Sequence, residues 1–382
     1  MIITPAIKDM VARIDALDAN DASQRDALLA QFVKMVAASC AAPENKALYA
    51  KPASSVLEPY PMDADGYALA FDPLHDEVGF KNTWQRYGMV VGRDIIASDV
   101  CHKTITGVRR AFNALSQNRA DLADASTWHA MPKDAAGTPI LTRGFFEIYH
   151  DDMLAQLRQN VRAYLHHVLI WGRADLWTSF DRLGIKLPHH EESAALPLHV
   201  DQNPNVHPDF KTVQGVVALT DCPTERGTFL GVPGSRAYFA AYGAMAKNSG
   251  EHVELDVNAP IAKTLLAHAQ PIPLRAGHFV SWDSRTSHAN TENISNDMRM
   301  VFYMAAGPAR EDNAEAVAAR LDALQTGIGS NVREALMHAS KKPRYTNPDA
   351  LARIRTPEQL TILGKLLYGT ERYSTITAPV VA

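Results

Sequence analysis

Cysteine is scarce. Cys40, Cys101 and Cys222 are the only three in 382 residues, and they lie far apart. An odd, scattered trio gives no disulfide framework; it fits a reducing compartment, with the thiols as small buried apolar groups. Excess charge of either sign is also missing. The formal balance is -4, which leaves no basic footprint for nucleic acid. No apolar run approaches the ~18 residues that a membrane helix needs. Met1-Ile2-Ile3-Thr4-Pro5 has no charged stretch leading into an apolar one, so no secretory signal is expected and a cytoplasmic location is. There is no internal repeat and no low-complexity tract. The sequence is compatible with a homo-oligomer and does not specify one.

What remains is a chain with 46% hydrophobic residues, enough for a sizeable core. Leu28, Leu29, Phe32, Val33 and Val36 share one face of a helix predicted over 20–40. Residues 41–75 read as an irregular connection. Trp84 to Gly92 reads as a short strand, with Ser98 capping a helix that runs through Val108 and Phe112. A second helical stripe runs from Asp151 to Ile170. After Gly172 the pattern shortens. Strands are predicted at Leu176–Phe180, Leu196–Val200, Val213–Thr220, Phe229–Val232, Pro271–Leu274, Phe279–Trp282 and Met300–Ala305, with turn signals between them. Ala240 to Ala269 interrupts the series. A closing helix is marked by Thr356 as N-cap, Pro357 in the first turn, Gln359 completing a capping box and Gly369 as stop. Short strands between turns argue for a sandwich or barrel, the jelly roll among them. The expected layout is an α+β protein with a mainly β core. One catalytic domain spans 1–382, its jelly-roll region spans 76–308, and helical extensions cover 1–75 and 309–382.

The chemistry-bearing stretch is Pro197-Leu198-His199-Val200-Asp201. Side chains at i and i+2 of a strand point the same way, so His199 and Asp201 project together. Another imidazole from a neighbouring strand would complete a 2-His-1-carboxylate triad, which leaves open positions on the metal. His-x-Asp alone says little. It also occurs at His150/Asp152 and His207/Asp209, and His-x-Glu occurs at His75/Glu77, His189/Glu191, His190/Glu192 and His252/Glu254. His150 begins a helix, where i and i+2 diverge by about 200°. His207-Pro208-Asp209 reads as a turn. Only His199/Asp201 ends an apolar strand that further strands follow. His288, beyond the strand at 279–282, is the distal candidate. Arg299 opens the next strand and offers a planar fork for a carboxylate, or else an ion pair on the strand surface. On residues alone, zinc in a hydrolase or isomerase, or a non-catalytic binding protein on a cupin-like fold, remain open readings.

The stretch from His199 to Ala305 resembles the phytanoyl-CoA dioxygenase-like family of Fe(II)/2-oxoglutarate oxygenases. The shared pieces are His199-Val200-Asp201, Val216 to Asp221, Glu225 to Arg236 containing Pro233-Gly234-Ser235, Trp282 to Arg285, His288 and Arg299. Residues 84–100 resemble the family's N-terminal portion more loosely. Arg236 and His278 depart from the family's pattern, and neither is at a ligand position. The resemblance implies a double-stranded β-helix, that is, a cupin-like jelly roll wrapped by N- and C-terminal helices. It implies His199, Asp201 and His288 as iron ligands, Arg299 as partner of the distal carboxylate of 2-oxoglutarate, and Asn290 and Thr228 as further co-substrate contacts. It also implies O2 consumption, release of succinate and CO2, and hydroxylation of an unactivated C–H bond. Asp201 argues against a halogenase, which lacks that carboxylate. A small anionic or zwitterionic metabolite, such as an amino acid or organic acid, is the expected substrate. Arg285, Gln202, Asn203, Arg182 and Trp177 are its candidate contacts, and Arg236 is expected in a surface turn.

Overall fold

The computed structural model describes residues 1–17, 21–49, 55–209, 212–246, 252–330, 340–341 and 357–377. Among the described residues the α-helices are α1 (Pro5–Asp15), α2 (Ala22–Ala41), α3 (Pro43–Tyr49), α4 (Glu77–Tyr87), α5 (Ser98–Leu115), α6 (Asp152–Arg158), α7 (Val161–Trp171), α8 (Ala262–Ala267), α9 (Ala314–Thr326), α10 (Ile362–Tyr368) and α11 (Tyr373–Thr377). The strands before the turn-rich middle are β1 (Met89–Gly92), β2 (Leu141–Thr142), β3 (Phe145–Phe146), β4 (Leu176–Thr178), β5 (Leu183–Lys186), β6 (His199–Val200) and β7 (Val213–Ala218). After it come β8 (Phe229–Gly231), β9 (Val253–Glu254), β10 (Gln270–Ile272), β11 (Phe279–Asp283), β12 (His288–Asn290), β13 (Arg299–Tyr303) and β14 (Ala306–Pro308).

These fourteen strands form two antiparallel sheets, and Gly329–Ser330 pairs separately with Ser340–Lys341. The larger runs β1-β11-β7-β13-β5-β3-β2, with β14 and β4 attached; the smaller runs β10-β8-β12-β6-β9. Neighbours far apart in sequence sit side by side, as a jelly roll requires, and helices cover the outside. The α+β jelly-roll expectation holds.

The larger sheet is buried on both faces, and its period-2 alternation sorts the residues between them. Val216, Ala218, Val280, Trp282 and Val301 face the smaller sheet, together with Phe229 and Ile272 from it. Val217, Phe279, Met300 and Phe302 face the other way, onto α5 and α6. Every residue of β7 is therefore buried, and the strand shows no polar alternation of its own. Leu28, Leu29, Phe32, Val33 and Val36 of α2 join α1, α7 and α10 in a third cluster at the edge of this sheet.

Several elements depart from expectation. Trp84–Tyr87 is the end of α4 and not part of a strand. Phe80, Trp84 and Tyr87 recur on one buried helical face, and Gly88, at φ 69, stops the helix so that β1 can begin. Ser98 is the first helical residue; the cap position is Ala97, without a side-chain bond. The 151–170 stripe is two helices. Asn160 Oδ1 accepts from Arg162 N at 2.8 Å and Ala163 N at 3.2 Å, which opens α7 after α6 ends. The helix expected near the chain's end is α10; Thr361 caps it, Gly369 stops it in the left-handed region, and α11 follows. Pro357 and Gln359 precede that helix, and Thr356 lies outside the described residues. The connection 41–75 contains α3.

Three buried histidines tie this scaffold to pH. Burial pushes His150 down to about 3 and His167 down to about 4, and holds His166 well below the usual imidazole range. The unfolded chain therefore binds protons that the folded chain refuses. This part of the stability is intact above about pH 6.5 and is lost as pH falls towards 4. Each imidazole contributes a slope of up to about 1.4 kcal/mol per pH unit in that window. Urea unfolding at pH 7, 6 and 5 should show falling stability, with a shallower fall in His167→Gln; a flat profile contradicts the assignment.

Candidate metal and co-substrate site

His199 and His288 face each other across an antiparallel ladder. They are direct register partners on β6 and β12. Their rings lie 4.4 Å apart between centroids. Asp201 follows β6 by one residue, and its Oδ2 lies 3.9 Å from His199 Nε2 and 3.6 Å from His288 Nε2. With metal–ligand bonds of about 2.0–2.2 Å, each of those two separations is short enough for an ion to bridge Asp201 Oδ2 and the imidazole.

The imidazoles are oriented for this. His199 Nδ1 lies 2.9 Å from Pro197 O, and His288 Nδ1 lies 2.9 Å from Thr286 O. A carbonyl only accepts, so both Nδ1 atoms carry the proton and both Nε2 lone pairs turn towards Asp201. Burial, reinforced by neighbouring His288, pushes His199 down to about 4 and keeps it neutral. Burial alone would raise the Asp201 carboxyl. His252, His288 and His199 around it outweigh that and hold it well below the usual carboxylate range. A neutral His199 imidazole beside an ionised Asp201 carboxylate is the state that metal ligation needs.

The carboxylate is braced from the opposite sheet. Gln214 Nε2 donates to Asp201 Oδ2 at 2.8 Å, and Trp282 Nε1 donates to Gln214 Oε1 at 3.0 Å. Gln214 and Trp282 are register partners on β7 and β11. Sequence reasoning passed over Gln214; its one signal was a polar residue at the start of an otherwise apolar strand.

These residues open on a cavity of about 390 Å³ between the sheets, whose lining includes His199, Asp201, His288, Asn290, Arg299 and Arg182. Arg299 is 3% exposed and forms no ion pair with a carboxylate among the described residues, and its Nε is buried without a hydrogen-bond partner. Beside it lies Lys186, its register partner on β5. Lys186 Nζ donates to Ala194 O at 2.8 Å, to Asn290 Oδ1 and to Thr291 O. Burial, helped by Arg299, lowers this amine to about 7. Lys186 was invisible in the sequence because β5 was not read as a strand. With Oδ1 of Asn290 committed to Lys186, the amide has its Nδ2 left to donate. Two buried basic groups and an amide donor suit a dicarboxylate.

Other sequence candidates lie elsewhere. Arg285 is held by Asp283, Nε to Oδ1 at 2.9 Å and Nη2 to Oδ2 at 2.6 Å. Gln202 Oε1 accepts from Ser284 Oγ at 2.7 Å, and Asn203 Oδ1 caps a turn at Asn205 N, 2.9 Å away. Trp177 is core, with the Arg320 guanidinium 4.9 Å from its ring centroid. Thr228 Oγ1 donates to Ile272 O at 2.8 Å. None of these five lines the cavity. Arg236 is not a surface turn residue. It is 8% exposed and bonded to Ser55 Oγ and Gln85 O. A larger cleft of about 990 Å³ between α2, α5, α6 and residues 358–361 is far from this chemistry.

Two facing antiparallel sheets, with paired imidazoles, a carboxylate and a buried guanidinium in the cavity between them, make up the framework of a cupin-like oxygenase. Residues 84–301, more than half of the chain, match the phytanoyl-CoA dioxygenase family profile, and the chain belongs to that family. Membership of that family supports an oxygenase-like site with iron and 2-oxoglutarate as metal and co-substrate. The donor set just described fits both. A curated relative, Ava biosynthesis cluster protein O of Aspergillus versicolor, is 24% identical over 205 residues, which is 50% of this chain and 65% of that protein. The match thus spans just under two thirds of the relative's length. Among solved structures, the hypothetical protein JW0805 from Escherichia coli aligns over 91% of this chain and 96% of its own, with 16% identity and a TM-score of 0.51. That likeness shows the fold. The non-heme alpha ketoglutarate dependent carbocyclase SnoK from nogalamycin biosynthesis aligns over 63% of this chain and 88% of its own, at 16% identity and a TM-score of 0.46. No helix among the described residues is long and apolar enough to cross a membrane.

The Gln214 brace has a measurable consequence. Gln214→Leu should keep the fold and weaken Co(II) binding to the metal-free protein about 10-fold, the loss typical when a residue that orients a ligand is removed. Unchanged affinity by absorption titration would show that the brace is dispensable.

Proposed function

We propose that this protein is an Fe(II)/2-oxoglutarate-dependent dioxygenase that hydroxylates an unactivated C–H bond of a small anionic or zwitterionic metabolite, releasing succinate and CO2. In this reading His199, Asp201 and His288 hold the metal, and Arg299 and Asn290 hold the co-substrate. The observation that carries it is the unneutralised Arg299 in the cavity that the three donors share. A guanidinium buried without a carboxylate is costly unless an anion occupies the space beside it.

When bound, the metal supplies the oxidising chemistry with O2 and 2-oxoglutarate. The protein's own groups do the rest. Arg299 anchors the distal carboxylate, and Asn290 Nδ2 donates to the same molecule. Phe229, Trp282 and Tyr303 line the cavity and exclude water from the reacting carbon. Arg182 faces the same space. Its Nη1 bonds Glu147 Oε1 at 3.2 Å, its guanidinium stacks 4.2 Å from the Phe145 centroid, and its Nε is buried without a hydrogen-bond partner. The same Nε lies 3.9 Å from Asp181 Oδ1, so Glu147 and Asp181 both flank this guanidinium, and its place in the cavity wall is what makes it a candidate contact for a substrate carboxylate. A cavity of about 390 Å³ also favours a small substrate over a long acyl chain carrying a nucleotide.

The test is succinate release by the Fe(II)-loaded protein with 2-oxoglutarate across a panel of amino acids and organic acids. At least one compound should raise succinate above background and gain one oxygen atom by mass. A product that gains no oxygen would overturn hydroxylation in favour of desaturation or ring closure. His199→Ala and His288→Ala should abolish metal binding. Arg299→Met should raise the 2-oxoglutarate requirement roughly 10- to 100-fold, as expected for lost charged hydrogen bonds. Arg182→Met should raise the substrate KM and leave the co-substrate requirement unchanged. Full activity in the His199 or Arg299 variant contradicts the assignment.

A further inference from the structure

A third imidazole reaches the metal site. His252 Nδ1 lies 3.1 Å from Asp201 Oδ1, and its ring is 4.5 Å from that of His199. His199, Asp201 and His252 could by themselves hold an ion, since one ligand atom of each lies within 4.8 Å of the others. Two donor sets therefore share His199 and Asp201, one closed by His288 and one by His252.

Three observations separate them. His288 is the register partner of His199, and its Nδ1 is tied to its own backbone, so its Nε2 has only the Asp201 side to face. Its side chain is 6% exposed, against 42% for His252. His252 meets Asp201 through Nδ1 itself, and the carboxylate can only accept, so that nitrogen carries a proton and has no lone pair for a metal. The two oxygens of Asp201 are also divided. Oδ2 is the one near both Nε2 atoms, and Oδ1 is the one His252 takes.

We propose that His252 is a positioning residue of the metal centre: it holds Asp201 Oδ1, so that Asp201 presents Oδ2 to the metal as a single-oxygen ligand. With Gln214 bonded from the opposite sheet, the carboxylate is fixed from two sides. The placement is built in by strand pairing. His252 immediately precedes β9, whose Val253 pairs with Val200 and whose Glu254 pairs with His199. This inference rests on the reading of His199, Asp201 and His288 as ligands.

The test uses the metal-free full-length protein titrated with Co(II), and the Cu(II)-loaded protein examined by electron paramagnetic resonance to count nitrogen ligands. His252→Ala should bind Co(II) about 10- to 100-fold more weakly, as for other groups that orient a metal's ligands. His252→Asn, whose amide can donate from nearly the same place, should restore most of that affinity. The Cu(II) spectrum should keep two nitrogens in His252→Ala and lose one in His288→Ala. Loss of a nitrogen in His252→Ala would make His252 a ligand and overturn the proposal. Unchanged Co(II) affinity in His252→Ala would overturn it in the other direction. If His199→Ala and His288→Ala both bind Co(II) like the parent, the ligand assignment itself falls, an outcome distinct from either failure of His252.

Discussion

The site depends on one strand register. His199 and His288 oppose each other on β6 and β12, and that pairing brings two imidazoles from positions nearly ninety residues apart to one carboxylate. A slip of one residue in either strand would turn its imidazole to the outer face. What prevents the slip is the surrounding ladder. β12 is also paired with β8 through Gly231, Leu230 and Phe229, and β6 with β9. Aromatic packing adds to this: Trp282 of the opposite sheet lies 4.9 Å from His288 and 4.4 Å from Phe229. The two sheets are thus locked together at the level of the donors.

The charges in the cavity follow a single logic. At one end the Asp201 carboxyl, held well below the usual carboxylate range, sits among three imidazoles and the Gln214 amide; further in, Arg299 and Lys186 stand side by side. Lys186 has oxygen acceptors for all three of its donors, whereas Arg299 keeps an unsatisfied nitrogen. The cation with unused capacity is the one that lines the cavity. That asymmetry is why Arg299, and not Lys186, is proposed to hold the co-substrate. Arg182 on another wall differs: Glu147 and Asp181 both pair with its guanidinium.

Much of this was legible in the sequence because the strands near the site are apolar and bounded by turns. β4, β7, β8, β11 and β13 were readable as strands from apolar runs, and His199, Asp201, His288, Asn290 and Arg299 do share one cavity. What could not be read depended on pairing between distant segments. β5 and β12 are short and show no alternation, so Lys186 went unseen and the histidine ladder could not be deduced. His252 looked like one of several chance His-x-Glu matches until β9 joined β6. Trp84 to Tyr87 misled because a short aromatic run beside Met89-Val90-Val91 imitates a strand, while its true partner, Phe80, lies a helical turn earlier. Arg285 and Gln202 sit close in sequence to the donors and turn away from them, since Asp283 and Ser284 claim their polar groups.

In the proposed function, His199, Asp201 and His288 hold iron and Arg299 holds the keto-acid beside it. The most direct test of this arrangement is the visible absorption of the protein mixed anaerobically with Fe(II) and 2-oxoglutarate. The weak band of an Fe(II)–keto acid chelate should appear in the parent protein, be absent when Zn(II) replaces iron, and need a much higher 2-oxoglutarate concentration in Arg299→Met. No band at any 2-oxoglutarate concentration in protein shown to have taken up one equivalent of Fe(II) would contradict it.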